Sequence, residues 1–281
     1  MLVLALLPAA IVVGVIAGQR LQPVFPLVMR GQLVLVGAPL MVTAGWLFDW
    51  AAVGPWVLGW VGLEIAVFTL LAPLAREREH RPLIPVAFSN SGFWATPVAT
   101  VLLGPAAGAA VAAIDAVGQS RAAILISWLR RDAPSRQPGW TRFVDYIQPA
   151  GFAIGVALQL SGATPPEAVP VAFEVLAIVN GLVGMALLGV SLPRPLPGPE
   201  VFRARARWAL GRFLPAGVLG LATLAGLAPP AMLWVVALAM APTNLHTFAR
   251  LYGYDLDGPT AVLVTTWLLA VPATIAWALL R

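Results

Sequence analysis

Two clusters of polar residues interrupt long apolar runs, and both contain groups that can bind a ligand or take part in catalysis. The first cluster lies in AFSNSGFWATPVAT (residues 87–100) and the second in AMAPTNLHTF (residues 239–248). Hydroxyl, amide and imidazole groups hydrogen-bond polar ligands, and a serine beside a base can act as a nucleophile. The candidate substrate-binding residues are Ser89, Asn90, Ser91, Gly92, Thr96, Pro97, Pro242, Thr243, Asn244 and His246.

Three further polar residues lie inside apolar runs, where an unpaired charge is costly. Glu64 is a candidate proton or cation coupling site; the alternative is a neutral carboxyl that hydrogen-bonds a neighbouring helix. Asp115 and Gln119 are four residues apart and therefore share one face of a helix. Both are candidates for the same coupling role, although Asp115 could instead pair with Arg121 or with another arginine.

The composition of the chain predicts an integral membrane protein. Of its 281 residues, 60% are hydrophobic and 10% are charged, whereas about 25% of the residues in a soluble domain are charged. Lipid is therefore the expected solvent. The net charge of +5 is interpreted as a signal of membrane topology, not of nucleic-acid binding. Because cysteine is absent, the chain can form no disulfide and no cysteine-ligated metal site.

The apolar runs predict ten membrane-spanning helices. Most approach the roughly 20 residues that a spanning helix needs, and the first is expected to be a retained span, not a cleaved signal peptide. Pro8 and Pro149 are expected in the first turns of their helices. The runs are 2–18, 31–48, 55–75, 83–103, 107–129, 147–161, 166–192, 208–227, 230–250 and 259–280.

The arginines predict the orientation of these spans in the cytoplasmic membrane. They are concentrated in the loops that follow the odd-numbered runs, and positively charged loops face the cytoplasm. Both termini are therefore expected outside the cytoplasm. Arg212, inside the eighth run, is expected to snorkel to the membrane surface.

The two halves of the chain resemble each other. Pro8 and Ala9 precede a Gly14-Val15 pair, and the same pattern recurs as Pro149-Ala150 with Gly155-Val156. The number of residues between Pro97 and Pro242 is nearly the same as the number of residues between the first motif and the second. We predict a first repeat over residues 1–129, a cytoplasmic linker over 130–146 and a second repeat over 147–281. Five spans per repeat place the second copy inverted in the membrane; the alternative is a chance match.

The prolines in the two polar clusters predict breaks near the middle of runs four and nine. Proline has no N–H and disfavours a continuous helix, and Thr96 is a candidate N-cap for a second half-helix with Pro97 in its first turn. Two such breaks would direct two helix N-termini at one locus. That locus would favour an anion such as a carboxylate. The alternative is a pair of structural kinks.

The segment SNSGFWATPV resembles the Asn-x-Gly-Phe-x-x-x-Pro motif of the auxin efflux carrier family, within the bile-acid/arsenite/riboflavin transporter superfamily. The segments GVSL (189–192) and MAPTNLHTFARLYGYD (240–255) and the pair Thr265-Thr266 are also similar to that family. The resemblance implies an all-α membrane protein of ten helices in two inverted five-helix repeats, with crossovers at helices four and nine. It also implies that Asn90, Gly92, Phe93 and Pro97 belong to the first crossover and Pro242 to the second.

Together these observations predict a secondary transporter, not an enzyme, with no cofactor and no metal. The resemblance implies a weak organic acid or a dicarboxylate as the substrate, a homodimer, and a mobile bundle of helices 3–5 and 8–10 on a scaffold of helices 1, 2, 6 and 7. Coupling to H⁺ through Glu64 and coupling to Na⁺ through carbonyls of the unwound segments both stay open. His246 is either a proton carrier or anion contact, or a satisfied core histidine. The rival classes are an intramembrane hydrolase that uses Ser89 or Ser91 with His246, and a channel.

Overall fold

The protein is all-helical over the residues that its computed structural model describes. These residues are 2–21, 24–75, 83, 86–129, 141–193, 195–243 and 254–280, with the side chains of 119–129 and 141–146 and a few single residues excepted. No β-strand occurs among them. Asn244, His246 and the side chain of Gln119 lie outside this description.

Twelve α-helices are found in these residues, and each of the ten predicted runs contains helix. They are α1 (Leu2–Leu21), α2 (Phe25–Gln32), α3 (Ala38–Leu47), α4 (Trp50–Leu71), α5 (Thr96–Leu103), α6 (Pro105–Leu129), α7 (Thr141–Leu160), α8 (Ala168–Ser191), α9 (Pro199–Gly211), α10 (Leu214–Leu224), α11 (Ala231–Ala237) and α12 (Asp257–Leu280). Two π-helical segments, Leu33–Gly37 and Ser91–Ala95, lead into α3 and α5, and a 3-10 turn, Ala72–Ala75, follows α4.

Among the described residues, four helical stretches are long and apolar enough to cross a membrane without interruption. They are Leu27–Leu47, Trp50–Leu71, Ala168–Ser191 and Asp257–Leu280. Large apolar side chains on the helices point outward, including Ile16 at 76% and Leu35 at 73% exposure. An outer surface of this kind fits lipid and does not fit water. The prediction of a membrane protein is confirmed at this level, and the inverted ten-helix arrangement stays a prediction.

Both π-helical segments have a proline two residues beyond their end. Pro39 follows Leu33–Gly37, and Pro97 follows Ser91–Ala95. The ring of a proline clashes with the carbonyl group four residues before it. A wider turn, in which the carbonyl partner is five residues away, accommodates that clash. Proline thus changes the pitch of these helices without ending them.

The expectation that Pro8 and Pro149 occupy first turns is wrong. Both prolines lie inside helices, Pro8 in α1 and Pro149 in α7. Apolar helices tolerate an interior proline because neighbouring groups satisfy the freed carbonyl. The first turn of α7 begins eight residues earlier, at Thr141.

The residues divide by their internal contacts into two compact units. Unit 1 comprises Met1–Gly59, Ser91–Ser120 and Pro138–Ser191, and unit 2 comprises Trp60–Asn90, Arg121–Gln137 and Leu192–Arg281. The division between the units falls between Asn90 and Ser91, inside the first polar cluster. Each unit takes segments from both halves of the chain.

Unit 1 is built around two close helix pairs, α1 with α8 and α3 with α7. A Cβ atom at Gly189 of α8 would lie 3.0 Å from the Cα atom of Gly14, and one at Gly155 of α7 would lie 2.9 Å from the Cα atom of Gly45. In each pair a glycine therefore faces a glycine, and the two backbones touch. Small residues permit this close packing in membranes.

Unit 2 contains a buried apolar cluster. In it, α12 packs against α9, and Phe68 and Phe88 stack with ring centroids 5.7 Å apart. The cluster is formed by Leu83, Val86, Trp208, Ala209, Ala241, Tyr254 and Val262. This apolar cluster includes residues that come just before the first polar cluster, and it includes Ala241 of the second polar cluster.

Candidate functional site

The helix of the fourth run begins at Ser91, ahead of the Thr96 N-cap that the sequence predicts. Phe88, Ser89 and Asn90 are not helical, and Ser91–Leu103 forms one helical stretch whose first turn is π-helical. Thr96 is therefore not an N-cap: it lies inside this stretch, and no side chain caps α5. Its hydroxyl is buried without a hydrogen-bond partner among the described residues, whereas its carbonyl accepts a bond from the Thr100 hydroxyl at 2.7 Å.

A carboxylate of the chain itself lies beside the start of this helical stretch. Asp115 accepts a hydrogen bond from the Ser91 hydroxyl at 2.8 Å. A Cβ atom at Gly92 would lie 2.8 Å from Asp115 Oδ2, so any larger residue would require the carboxylate to shift. The positive end of the helix dipole favours the negative charge. Asp115 thus lies beside the N-terminal end of this helical stretch, where we expected a substrate anion.

The carbonyl group of Gly92 is satisfied from another helix. In a π-helix this carbonyl would accept from the N–H five residues on, but that residue is Pro97, which has none. Asn180 of α8 donates its side-chain amide to it at 3.1 Å, and Gln32 donates in turn to the Asn180 oxygen. Asn180 was missed by the sequence analysis. The signal was an amide alone in an apolar helix, where polar side chains usually bond across helices.

Replacing Asn180 by leucine is expected to destabilise unit 1. The Gly92 carbonyl would lose its donor, and an unsatisfied buried polar group costs about 1–3 kcal/mol. The measurement is the free energy of unfolding in detergent. Thr43→Ala is the control, because the Thr43 hydroxyl bonds only to carbonyls of its own helix at 2.9 and 3.1 Å. Equal stability of the two variants would contradict the role given to Asn180.

Within unit 2, Glu64 hydrogen-bonds the non-helical segment that precedes Ser91. Its side chain is fully buried, and its Oε1 atom accepts hydrogen bonds from the Ser89 N–H at 2.9 Å and from the Ser89 hydroxyl at 2.7 Å. One carboxyl oxygen therefore orders both the backbone and the side chain of Ser89. The carboxyl reaches the broken segment of the fourth run, not a regular helix.

In the ninth run, too, helix gives way to non-helical backbone. Helix α11 ends at Ala237, and residues 239–242 are not helical. Within unit 2, the Asn90 N–H donates to the Met240 carbonyl at 3.1 Å, and the Ala241 N–H donates to the Thr266 hydroxyl at 3.1 Å. The non-helical ends of runs four and nine are thus joined by a backbone hydrogen bond.

Arg212 is fully buried beside this second break, so the expectation that it snorkels to the surface is wrong. Its Nη2 atom donates to the Val236 carbonyl at 2.6 Å, and its Nε atom makes a longer contact of 3.5 Å with the Met240 carbonyl. The guanidinium therefore caps the C-terminal end of α11, which carries partial negative charge. The signal in the sequence was an arginine inside an apolar run, which by itself predicts a functional site.

The predicted site residues thus fall into two groups, one in each unit. Unit 1 holds Ser91, Gly92, Thr96, Pro97 and Asp115. Unit 2 holds Glu64, Ser89, Asn90, Pro242 and Thr243, with Pro242 and Thr243 buried. In the described part of the chain no three His, Asp or Glu side chains gather as a metal site would require.

Comparison of the chain with known protein families, with curated proteins and with solved structures finds no match. The likeness to auxin efflux carriers therefore rests on the residues quoted above.

Proposed function

We propose that the protein is a secondary transporter of the auxin efflux carrier type that moves an organic carboxylate across the cytoplasmic membrane by alternating access. The observation that carries this proposal is the pair of non-helical segments in apolar runs four and nine, which are joined through Asn90 and Met240 and surrounded by buried polar groups. Non-helical backbone at membrane depth is tolerated where protein or a watery cavity satisfies it, and it lines the binding sites of secondary transporters. We further propose that both termini lie outside the cytoplasm.

The glycine contacts of unit 1 support an inverted repeat. Gly14 and Gly155 hold equivalent places in the two matching motifs. Gly14, of run one, packs on Gly189 of run seven, and Gly155, of run six, packs on Gly45 of run two. If the two repeats are exchanged, run one becomes run six and run seven becomes run two. The contact between runs one and seven then becomes the contact between runs six and two. A duplicated five-helix unit would produce this relationship.

The division into units agrees in part with a scaffold and a mobile bundle. Runs one, two, six and seven lie almost wholly in unit 1, and runs eight to ten lie in unit 2. Runs three, four and five are divided between the units. A homodimer through the scaffold, as the resemblance implies, belongs to the same proposal.

Proton coupling is favoured over sodium coupling by the position of Arg212. Carbonyls of an unwound segment are the ligands that Na⁺ would take. The Val236 and Met240 carbonyls already face a tethered cation, the Arg212 guanidinium. Glu64, fully buried against the broken fourth run, is the group proposed to carry the proton.

The bonds of the two serines favour transport over hydrolysis. Ser89 donates its hydroxyl to Glu64, and Ser91 donates to Asp115. Both serines are buried. A nucleophile needs a base that is itself oriented by a third group, and His246 lies outside the described residues. Failure of a serine-reactive probe to label the protein is the expected result.

Proteoliposomes test the proposal directly. Radiolabelled indole-3-acetate or malonate is expected to accumulate inside vesicles when a pH gradient is imposed, because the proton gradient is proposed to drive the flux. A Na⁺ gradient alone is expected to have no effect. Protein-free liposomes are the control.

Accumulation driven by Na⁺ alone would contradict proton coupling. Unitary currents in a planar bilayer would favour a channel, and serine-dependent probe labelling without any flux would favour a hydrolase.

A further inference from the structure

The guanidinium of Arg212 has a donor that no described residue uses. Nη2 and Nε point to the Val236 and Met240 carbonyls, while Nη1 is buried without a hydrogen-bond partner among the described residues. In the described part of the chain no carboxylate forms an ion pair with this side chain. A charged group thus stands in the interior of unit 2 with carbonyl dipoles as its neighbours and no counter-ion among the residues that the structure describes.

Such an arrangement is unfavourable unless an anion completes it. Arginine stays charged in proteins, and a buried charge without a partner costs several kcal/mol. Carbonyl oxygens neutralise part of a charge, and a full anion neutralises all of it. The planar guanidinium is also the side chain best suited to a carboxylate, because its donors match the two oxygens.

The surroundings of Arg212 hold the side chain in one position. Val236 and Met240 fix two of its three nitrogens, so the direction of Nη1 is set before any ligand arrives. The Met240 carbonyl also accepts from the Asn90 N–H, which ties the guanidinium to the non-helical end of the fourth run. A preorganised donor loses little entropy on binding.

We propose that Nη1 of Arg212 binds the carboxylate group of the transported acid. The inference rests on the proposed transport function, because it assigns the group that recognises the substrate. Asp115 lies beside the helix tip at Ser91 in unit 1, so that tip does not serve as the anion site. Recognition by a side-chain cation replaces the recognition by two helix N-termini that the sequence predicts.

Ligand-dependent heat stability of the purified full-length protein tests the assignment. The probes are the potassium salts of indole-3-acetate and malonate, with indole-3-acetamide and malonamide as neutral analogues and potassium chloride as a simple anion. The carboxylates are expected to raise the unfolding midpoint of the wild-type protein, whereas the amides and chloride are not. Equal protection by chloride would overturn the carboxylate assignment.

The test variant is Arg212→Gln and its matched control is Arg207→Gln. Arg207 is exposed on α9, the helix whose C-cap is Arg212, so the control removes one positive charge without touching the site. The apparent Kd for the carboxylates is expected to rise at least about tenfold in the test variant, as loss of one charge-assisted bond predicts. It is expected to stay unchanged in the control. A Kd within twofold of the wild-type value in Arg212→Gln would overturn the proposal.

Arg212→Lys replaces Arg212→Gln as the test variant in the binding measurement if Arg212→Gln does not fold. Lysine keeps the charge but loses the fork of donors, so an apparent Kd several-fold above the wild-type value is expected. Arg207→Lys is its control. A wild-type Kd in Arg212→Lys would contradict the assignment to Nη1.

Flux measurements separate this inference from the proposed function. Arginine-dependent binding without flux in liposomes would contradict transport and leave the binding site intact. Flux that is unaffected in Arg212→Gln would contradict the site and leave transport intact. Absence of any carboxylate binding to the wild-type protein would overturn the assignment of Arg212.

Discussion

Proteoliposomes that contain the Glu64→Gln variant are expected to lose accumulation of the labelled acid under a pH gradient, with no loss of folding. The glutamine carbonyl can still accept the bonds from the Ser89 N–H and hydroxyl, which lie 2.9 and 2.7 Å from Oε1 in the wild-type protein. The amide cannot take up or release a proton. Structure is therefore retained while coupling is removed, and the measurement is uptake as a function of the imposed pH difference.

Two further variants make this result specific. Asp49→Asn makes the same carboxylate-to-amide change at an exposed N-cap, where the side-chain oxygen accepts from the Ala52 N–H at 3.0 Å; normal accumulation is expected. Glu64→Ala leaves the Ser89 donors without a partner, at a cost of about 1–3 kcal/mol for each, so loss of stability accompanies loss of transport. An unchanged pH dependence in Glu64→Gln would remove Glu64 from the coupling mechanism.

The largest loss of stability is expected from alanine at the glycines of the two close helix pairs. A Cβ atom at Gly155 would overlap the Val42 carbonyl and lie 2.8 Å from the Trp46 nitrogen. The atoms met are backbone atoms, so no rotamer change relieves the clash and the helices must separate. Overpacking usually costs about 1–3 kcal/mol, and this contact belongs at the upper end.

The combined variant Gly14→Ala with Gly155→Ala is expected to lose about the sum of the two effects. Its two sites share no partners, so additivity is expected, and the total is a large part of the roughly 5–15 kcal/mol that keeps a typical protein folded. The measurement is the unfolding midpoint in detergent. Gly59→Ala is the control, because nothing lies within 4 Å of a Cβ atom there. A midpoint for Gly155→Ala equal to that of the control would contradict the packing role.

Local rules explain why irregular backbone was predictable near the two prolines. Proline lacks an N–H, and this defect acts within one turn of its own helix, so Pro97 and Pro242 marked places where the regular α-helical pattern changes, but the break predicted at Pro97 itself is wrong. The start of the helix at Ser91 was not predictable in this way. A π-helical turn accommodates Pro97 without a break, and this turn depends on the hydrogen bond that Asn180 of α8 donates to the Gly92 carbonyl.

The partners of the polar residues could not be derived from the sequence, because distant segments supply them. Asn180 reaches a carbonyl 88 positions away along the chain, and Arg212 reaches one 24 positions away. The pairing of Asp115 with Ser91 depends on how close α6 comes, which the absent side chain of Gly92 permits. No spacing rule within a helix encodes such contacts.

By itself the sequence determined the apolar helical character of this protein and the two runs that contain irregular backbone, because hydropathy and proline chemistry act locally. Only the tertiary structure decided which groups satisfy the interrupted backbone, which carboxylate faces which serine, and that Arg212 is turned inward. The physical reason is that a buried hydrogen-bonding group must find a partner, and packing alone selects which distant residue comes near enough to be that partner.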